Sequence, residues 1–225
     1  MIELPEALAQ LGTRADPEKA AELVAYHKAP RRYLGVAVPQ ITELASLWRA
    51  ELDVAGRVSL ADGLWQTDIH EARVAAAKLL TQARIKDDGP VWQLIASWVP
   101  GFDAFAIADH ACDAGERRLL ADPSRIDAVE TWIRAENLWT RRAALVITRP
   151  WTKQNFPKAQ DLAIRDRVLG WCAELADDRE WFIQKAVADW LRDLSKHDSI
   201  RVSAFLETHG PRLKLFAQKE AARYL

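Results

Sequence analysis

The stretch Asn137-Leu138-Trp139-Thr140-Arg141-Arg142-Ala143-Ala144-Leu145-Val146 decides the fold of this chain. If the stretch is helical, Trp139, Arg142 and Ala143 fall on neighbouring turns of one side. The aliphatic residues Leu138, Leu145 and Val146 then lie where a packed face is expected. Two arginines between a tryptophan and a run of small residues therefore predict a helix with one buried face and one cationic face.

The same kind of stretch occurs five times along the chain. Related stretches span residues 70–76, 102–108, 182–188 and 216–222. Aligned on their first positions, with residue 139 for the central copy, the copies are separated by 32, 37, 43 and 34 residues. A helix that recurs with a period in the thirties to forties is typical of an α-solenoid, and these spacings are closest to the HEAT class.

One position of the repeated helix is mostly cationic. Three residues after the start of each copy, the chain reads Arg73, Phe105, Arg142, Lys185 and Lys219. Because stacked repeats present equivalent positions on the same side, we expect these side chains along one face of a right-handed superhelix. That face is predicted to be cationic with one aromatic residue.

The remaining sequence also reads as helix, turn, helix, without any long stretch of period-two alternation. Asp16 is a predicted N-cap with Pro17 at the first helical position, and Asp87-Asp88-Gly89-Pro90 is the clearest turn. Predicted helices span residues 5–11, 17–26, 39–52, 59–66, 69–83, 91–98, 102–114, 126–135, 138–147, 164–175, 181–195, 200–207 and 211–224. We therefore predict an all-α solenoid of HEAT-like antiparallel helix pairs, forming a single domain over residues 1–225.

Charge is distributed unevenly along the chain. The 225 residues carry a net charge of −1, but residues 139–225 hold 16 basic and 11 acidic side chains. Residues 1–138 hold 15 basic and 21 acidic ones. This asymmetry indicates a polyanion-binding surface in the second part, although the strongly basic balance of many nucleic-acid-binding domains is absent.

The sequence argues against a membrane protein and against a metal centre. No apolar run approaches the roughly 18 residues of a membrane span, and the acidic N-terminus does not resemble a signal peptide. Cys112 and Cys172 lie sixty residues apart and are expected to be reduced. The five histidines show no metal-ligand spacing, so no metal or other cofactor is predicted. We expect a monomeric, soluble, cytoplasmic protein associated with the nucleoid.

Two aspartates stand out as candidates for chemistry. Asp109 lies four residues after Phe105, so both occupy one helical face, and Asp189 has the same position in a later repeat. A carboxylate on a cationic, aromatic surface can bind a cation or stabilise developing positive charge. The alternative, favoured by spacing alone, is a salt bridge to Arg142 or Arg192. Other acids, among them Glu71 and Asp103, are expected on solvated helix faces.

The chain resembles the AlkD-like HEAT-repeat DNA glycosylases of alkylation repair, from about Tyr26 to Leu225. The resemblance rests on three segments together: Tyr33–Pro39, Asn137–Ala144, and Trp181–Ala186 followed by Trp190-Leu191-Arg192. Members of that family bind double-stranded DNA in the concave face of the solenoid. They excise cationic N3- and N7-alkylpurines without flipping the base into a pocket.

The resemblance implies roles for individual residues. Asp109 matches the family's catalytic aspartate, Arg142 its essential arginine at the DNA backbone, and Arg192 a second DNA-contacting arginine, with Lys185 as a further phosphate contact. Phe105 matches the first of two cleft tryptophans that hold the lesion's deoxyribose.

At the second cleft tryptophan this sequence departs from the family. Asp189 occupies the position, and Trp190 is displaced by one residue, about 100° around a helix. Both Asp189 and Trp190 are counted among the expected DNA-contacting residues. A competing hypothesis is therefore a HEAT-repeat module that binds DNA or a protein partner and performs no chemistry. Asp189 and the weak overall charge favour that hypothesis, whereas Asp109 and Arg142 favour the enzyme.

Overall fold

The computed structural model describes residues 2–225, and within them the fold is all-α. The helices are α1 (Leu4–Gly12), α2 (Pro17–His27), α3 (Val38–Glu51), α4 (Val54–Gln66), α5 (His70–Leu80), α6 (Gly89–Trp98), α7 (Phe105–Ala121), α8 (Ile126–Trp132), α9 (Leu138–Ile147), α10 (Ala159–Glu174), α11 (Trp181–Ser195), α12 (Ser199–His209) and α13 (Leu215–Ala221). The described residues contain no β-strand, only an isolated bridge between Arg32 and Ile69. The predicted all-α class is confirmed.

Local capping signals explain why several helices begin where predicted. The Asp16 carboxylate accepts hydrogen bonds from the first-turn N–H groups of α2, and Asn137 accepts one from Trp139 at the start of α9. Both α9 and α11 have their predicted bounds. By contrast, α10 begins five residues before the prediction, at a polar first turn without apolar periodicity. There the Asp161 carboxylate accepts a hydrogen bond from the Lys158 N–H at 2.9 Å.

The described residues up to Ala121 form a first compact unit centred on α5. Helices α3, α4 and α7 all pack against α5, and nine of its eleven residues are buried. Many of these are small, including Ala72, Ala75 and Ala76, each with no exposed surface. Small side chains on several sides of one helix let its neighbours approach closely, which accounts for the central place of α5.

Asp122–Leu225 form a second compact unit centred on α11. Helices α9, α12 and α13 and the 3-10 segment Arg149–Lys153 pack against it. Trp190 and Leu191 of α11 are buried, with 1% and 0% of their surface exposed. Because the described residues form two compact units, a single repeat domain with one continuous face remains a prediction.

The segment Tyr33–Pro39 is fixed by a buried carboxylate. Glu71 is fully buried and accepts hydrogen bonds from the backbone N–H groups of Leu34 (2.8 Å) and Gly35 (2.7 Å). Gly35 has φ of +78°, and a Cβ there would lie 2.0 Å from the Asp16 carbonyl oxygen. The expectation that Glu71 is solvated is therefore wrong, because its partners are backbone groups distant in sequence. Only glycine fits at residue 35.

Arg73, the first member of the cationic repeat position, takes part in an ion-pair cluster. Its guanidinium lies 3.2 Å from Asp68, donates to the Trp65 carbonyl at 3.1 Å and stacks over the Trp65 ring at 5.0 Å. Arg31 has 1% of its side chain exposed and pairs with Asp68 at 3.5 Å and with Asp103. Asp103 remains 44% exposed, so it is a surface acid, but one that neutralises a buried arginine.

Candidate nucleic-acid interface

Helix α7 places Phe105 and Asp109 one turn apart in the first unit. Both side chains are partly exposed. The Phe105 ring contacts two aromatic rings at the end of α2, Tyr26 edge-on at 5.9 Å between centroids and His27 at 5.4 Å. These contacts hold the Phe105 ring in place beside the carboxylate-bearing position of the same helix.

Tyr26 is a surface residue that the sequence analysis missed. Its side chain is 67% exposed although its ring packs on Phe105. An exposed tyrosine with an apolar ring and a polar tip is common at binding surfaces. The signal in the sequence was the aromatic pair Tyr26-His27 at the end of an otherwise polar helix.

In the second unit, α9 and α11 form a narrow groove with cationic and acidic walls. It is lined by Arg142, Leu145, Val146, Arg149, Ala186 and Asp189. The structure thus brings Arg142 and Asp189 to one groove. Arg149, the first residue of the 3-10 segment that follows α9, is an additional cation that the sequence analysis did not single out.

Asp189 is the centre of an ion-pair network in this groove. Its carboxylate lies 2.5 Å from Lys185 and 2.7 Å from Arg192, one helical turn before and after it. Arg192 also contacts Asp193 at 2.9 Å and Glu220 of α13. The salt-bridge interpretation of Asp189 is therefore the one that the structure shows, and two predicted phosphate-binding cations already have carboxylate partners.

The network keeps its members charged. Burial works against ionisation of Asp193, but hydrogen bonds from Arg192 and from Arg149 (3.2 Å) hold the pKa of Asp193 below its ordinary value. Burial likewise opposes the charge on Arg192, yet Glu220 and Asp193 raise the Arg192 pKa above its usual range. The hydrogen bond from Arg192 also lowers the pKa of Glu220. Arg192 therefore links carboxylates of α11 and α13 and keeps its positive charge at a partly exposed position.

Trp190 does not lie on this surface. Its side chain is 1% exposed and belongs to the core of the second unit. The one-residue displacement from residue 189 turns the side chain about 100° around α11, from the groove into the packed face. We therefore leave Trp190 out of the proposed DNA-contacting residues, where the sequence analysis had placed it.

Aromatic residues at the start of the repeated helices contact one another in the second unit. Trp139 of α9 packs on Phe182 of α11 with centroids 4.6 Å apart. Trp181 bridges onward, 5.0 Å from Phe182 and 6.0 Å from Phe216 of α13. Residues 139, 182 and 216, aligned by the repeat period alone, therefore occupy neighbouring positions in this unit.

The two units differ in charge. Asp122–Leu225 carry 18 basic and 15 acidic side chains, whereas the preceding residues carry 13 basic and 17 acidic ones.

Among residues 2–225, no group of three or more metal-ligating side chains is arranged to hold an ion. Within the same residues, no helix combines the length and apolar character required to cross a membrane.

A sequence profile of the family described as DNA alkylation repair enzyme matches residues 7–225. The chain belongs to the DNA alkylation repair enzyme family. The search of curated proteins found no match to this chain.

Several solved structures share the fold of this chain. A predicted DNA alkylation repair enzyme from Enterococcus faecalis is 21% identical, with a TM-score of 0.78 over 94% of this chain and 97% of that one. AlkD2 from Streptococcus mutans is 18% identical, with a TM-score of 0.62 over 93% and 98%. The smu.31 protein from Streptococcus mutans UA159 is 20% identical, with a TM-score of 0.64 over 84% and 92%. At these identities the likeness shows the fold of this DNA alkylation repair family member.

Proposed function

We propose that this member of the DNA alkylation repair family is a DNA glycosylase. Its substrates are positively charged N3- and N7-alkylpurines in double-stranded DNA, removed without base flipping. The observation that carries the proposal is the pairing of Phe105 and Asp109 on one partly exposed face of α7, in a chain whose family match covers residues 7–225.

The reaction requires stabilisation of positive charge on the sugar rather than protonation of the base. An alkylpurine that already carries a positive charge leaves as a neutral base, taking the electron pair of the N-glycosidic bond. Oxocarbenium character then develops at C1′, where water adds and releases a proton to solvent. The Asp109 carboxylate stabilises that charge and positions the water, while Phe105 and the exposed Tyr26 contact the sugar.

Binding of the DNA backbone is assigned to the second unit. Arg142 and Arg149 line the groove between α9 and α11, and Lys185 and Arg192 lie at the Asp189 carboxylate. Cations of this kind neutralise phosphates and fix the register of the duplex without reading sequence. We propose that the protein acts as a monomer in the cytoplasm, at the nucleoid, and needs no cofactor.

Release of 7-methylguanine from methylated duplex DNA tests this proposal. Asp109→Asn keeps the side-chain shape but removes the charge, so we expect excision to slow by about 100-fold or more, equivalent to roughly 3 kcal/mol of transition-state stabilisation. DNA affinity should hold or rise. Asp113→Asn, one turn further along α7 at a 53% exposed position, is the matched control and should retain wild-type activity. Equal activity of wild type and Asp109→Asn would overturn the catalytic assignment.

A second candidate function is a DNA- or protein-binding module without chemistry. The ion-pair network of Lys185, Asp189 and Arg192 favours it, because an acid occupies a surface expected to bind phosphates and to hold an aromatic residue. This candidate predicts DNA binding with no release of 7-methylguanine by the wild-type protein, in the same assay in which the glycosylase releases it.

A further inference from the structure

An exposed phenylalanine lies in the loop between the 3-10 segment Arg149–Lys153 and α10 of the second unit. Phe156 is 96% exposed, more than any other large apolar side chain among residues 2–225. Single exposed apolar residues are common on protein surfaces, and exposure alone does not indicate a function. Two further properties distinguish Phe156: its loop is anchored on both sides, and its surroundings are cationic.

Hydrogen bonds fix the backbone on both sides of Phe156. Before it, the Gln154 carbonyl accepts a hydrogen bond at 2.7 Å from the guanidinium of Arg165, a residue with 1% of its surface exposed. After it, the Lys158 N–H donates to one carboxylate oxygen of Asp161 at 2.9 Å. The other oxygen of Asp161 accepts a hydrogen bond from the Gln154 side chain at 3.2 Å, so one acid ties both ends of the loop together. A ring presented by a fixed backbone loses little conformational freedom when it binds.

The surface around Phe156 is cationic. Residues 150–160 include Lys153 and Lys158, both exposed, and contain no acidic residue. The next acid along the chain, Asp161, is occupied by the hydrogen bonds that anchor the loop. Arg149, the first residue of the same 3-10 segment, lines the groove between α9 and α11. The loop therefore continues from the candidate DNA-binding groove with positive charge and one aromatic ring.

This combination is complementary to nucleic acid rather than to an apolar protein pocket. Duplex DNA offers phosphates and stacked bases side by side, so that lysines and an aromatic ring can both find partners. An apolar pocket would accept the Phe156 ring but would leave Lys153 and Lys158 without an anion.

We propose that Phe156 is a wedge that inserts between stacked bases of bound DNA, while Lys153 and Lys158 contact the flanking phosphates. Apolar side chains that enter a base step partly unstack it and bend the duplex. Unstacking costs least at a mismatched or damaged base, so the wedge would favour binding at such a step. The inference rests on the DNA binding assigned to the second unit in the proposed function, and it adds a contact to the bases.

Duplex DNA that carries 2-aminopurine beside a single mismatch tests the inference, because the fluorescence of this base analogue rises when it is unstacked. We expect the wild-type protein to raise the fluorescence. Phe156→Ala should abolish the rise and weaken binding about tenfold, since an aromatic ring that stacks on a base contributes at least that much. The salt slope should stay unchanged, because the variant loses no phosphate contact. Phe156→Trp keeps an aromatic ring and should retain the rise.

Two controls separate the ring from charge and from general exposure. Lys153→Ala should reduce the salt slope by about one unit and preserve the fluorescence rise. Leu47→Ala, at a 54% exposed position of α3 in the first unit, removes another exposed apolar side chain and should behave as wild type. The urea midpoint of Phe156→Ala should equal that of wild type, because the ring is not part of a packed core.

An equal fluorescence rise for wild type and Phe156→Ala, or no rise when anisotropy shows that the wild-type protein is bound, overturns the wedge. Binding of wild type but not of Phe156→Ala to phosphatidylglycerol vesicles, with no effect of the variant on the DNA signal, would assign the ring to a lipid surface and also overturn it. Absence of any DNA binding by the wild-type protein overturns both the wedge and the DNA binding of the proposed function. Because the assay requires no excision, the glycosylase assignment can fail while the wedge stands, and the reverse.

Discussion

Both units bury arginines against carboxylates, Arg31 in the first and Arg165 in the second, but the first unit also buries polar groups of another kind. In the first unit, backbone N–H groups satisfy Glu71, and His70 is buried as a neutral ring. In the second, arginines and carboxylates are paired: Arg165, 1% exposed, donates to the Trp151 carbonyl and lies 3.2 Å from Asp198. Polar groups in the first unit therefore fix local geometry. Cations in the second unit serve the fold and the candidate DNA surface together.

The largest effect that this comparison predicts is on stability of the first unit. Glu71→Gln retains one carbonyl acceptor but turns an amide NH₂ towards a backbone N–H, leaving a buried donor unpaired. We expect the free energy of unfolding to fall by about 3 kcal/mol, measured by urea denaturation. Glu207→Gln on an exposed position of α12 is the control and should leave the unfolding midpoint unchanged. A similar midpoint for Glu71→Gln and wild type would contradict the structural role of Glu71.

Mild acid should lower the stability of the first unit and leave that of the second unit unchanged. The pKa of His70 is about 3 in the folded chain against 6.5 as its ordinary value, so between these values the unfolded state binds the extra proton. Stability of the first unit is then complete above about pH 6.5 and falls by up to about 1.4 kcal/mol per pH unit as the pH drops below it. Asp193 and Glu220 have lowered pKa values, so their contribution disappears only below the ordinary carboxylate range.

Native-state hydrogen exchange at pH 7 and pH 5 measures this difference. Amides of α5 should lose protection at the lower pH, whereas those of α11 should not. His70→Phe should remove most of the pH dependence from α5. Equal loss of protection in both helices would show that the neutral histidine does not distinguish the units.

The sequence predicted features that depend on local signals and missed features that depend on distant partners. The cap at Asn137 and the apolar period of α9 lie within a few residues, so the bounds of that helix were correct. Glu71 was misplaced because its partners, Leu34 and Gly35, lie 37 and 36 residues away. Trp190 was misplaced because resemblance identifies a residue type near a position, whereas a displacement of one residue moves a side chain to another face.

A smaller effect is expected on DNA binding by the second unit. Arg142→Ala and Arg192→Ala should each weaken binding about tenfold irrespective of sequence, and each should reduce the salt slope by about one unit for every phosphate that is no longer neutralised. Arg192→Ala should also lower stability, because Asp189, Asp193 and Glu220 lose their shared partner. Fluorescence anisotropy over a salt series measures the first effect. Arg201→Ala on α12, paired with Asp166 and Asp198, is the control. Unchanged salt slopes in both variants would remove the assigned phosphate contacts.

The smallest effect concerns Asp189. This residue belongs to the ion-pair network and occupies the position at which the resemblance places an aromatic residue. Asp189→Asn removes a carboxylate partner of Lys185 and one of the three carboxylate partners of Arg192, so DNA affinity should rise slightly at low salt. Asp189→Trp has the same electrostatic effect and adds the aromatic side chain that the resemblance places at this position. If the chain is a glycosylase with a partly altered cleft, 7-methylguanine release should increase in the tryptophan variant beyond any increase in the asparagine variant.

The comparison of these two variants separates charge from shape at residue 189. Equal increases in excision would mean that Asp189 limits the enzyme only by neutralising cations. An increase confined to Asp189→Trp would assign the deficit to the missing aromatic contact with the deoxyribose, since both variants remove the same carboxylate. If excision by Asp189→Trp does not exceed that by Asp189→Asn, residue 189 is not a degraded lesion contact. The acid then belongs to the ion-pair network that joins α11 to Glu220 of α13 through Arg192, and the second unit keeps its cations paired for the sake of its fold.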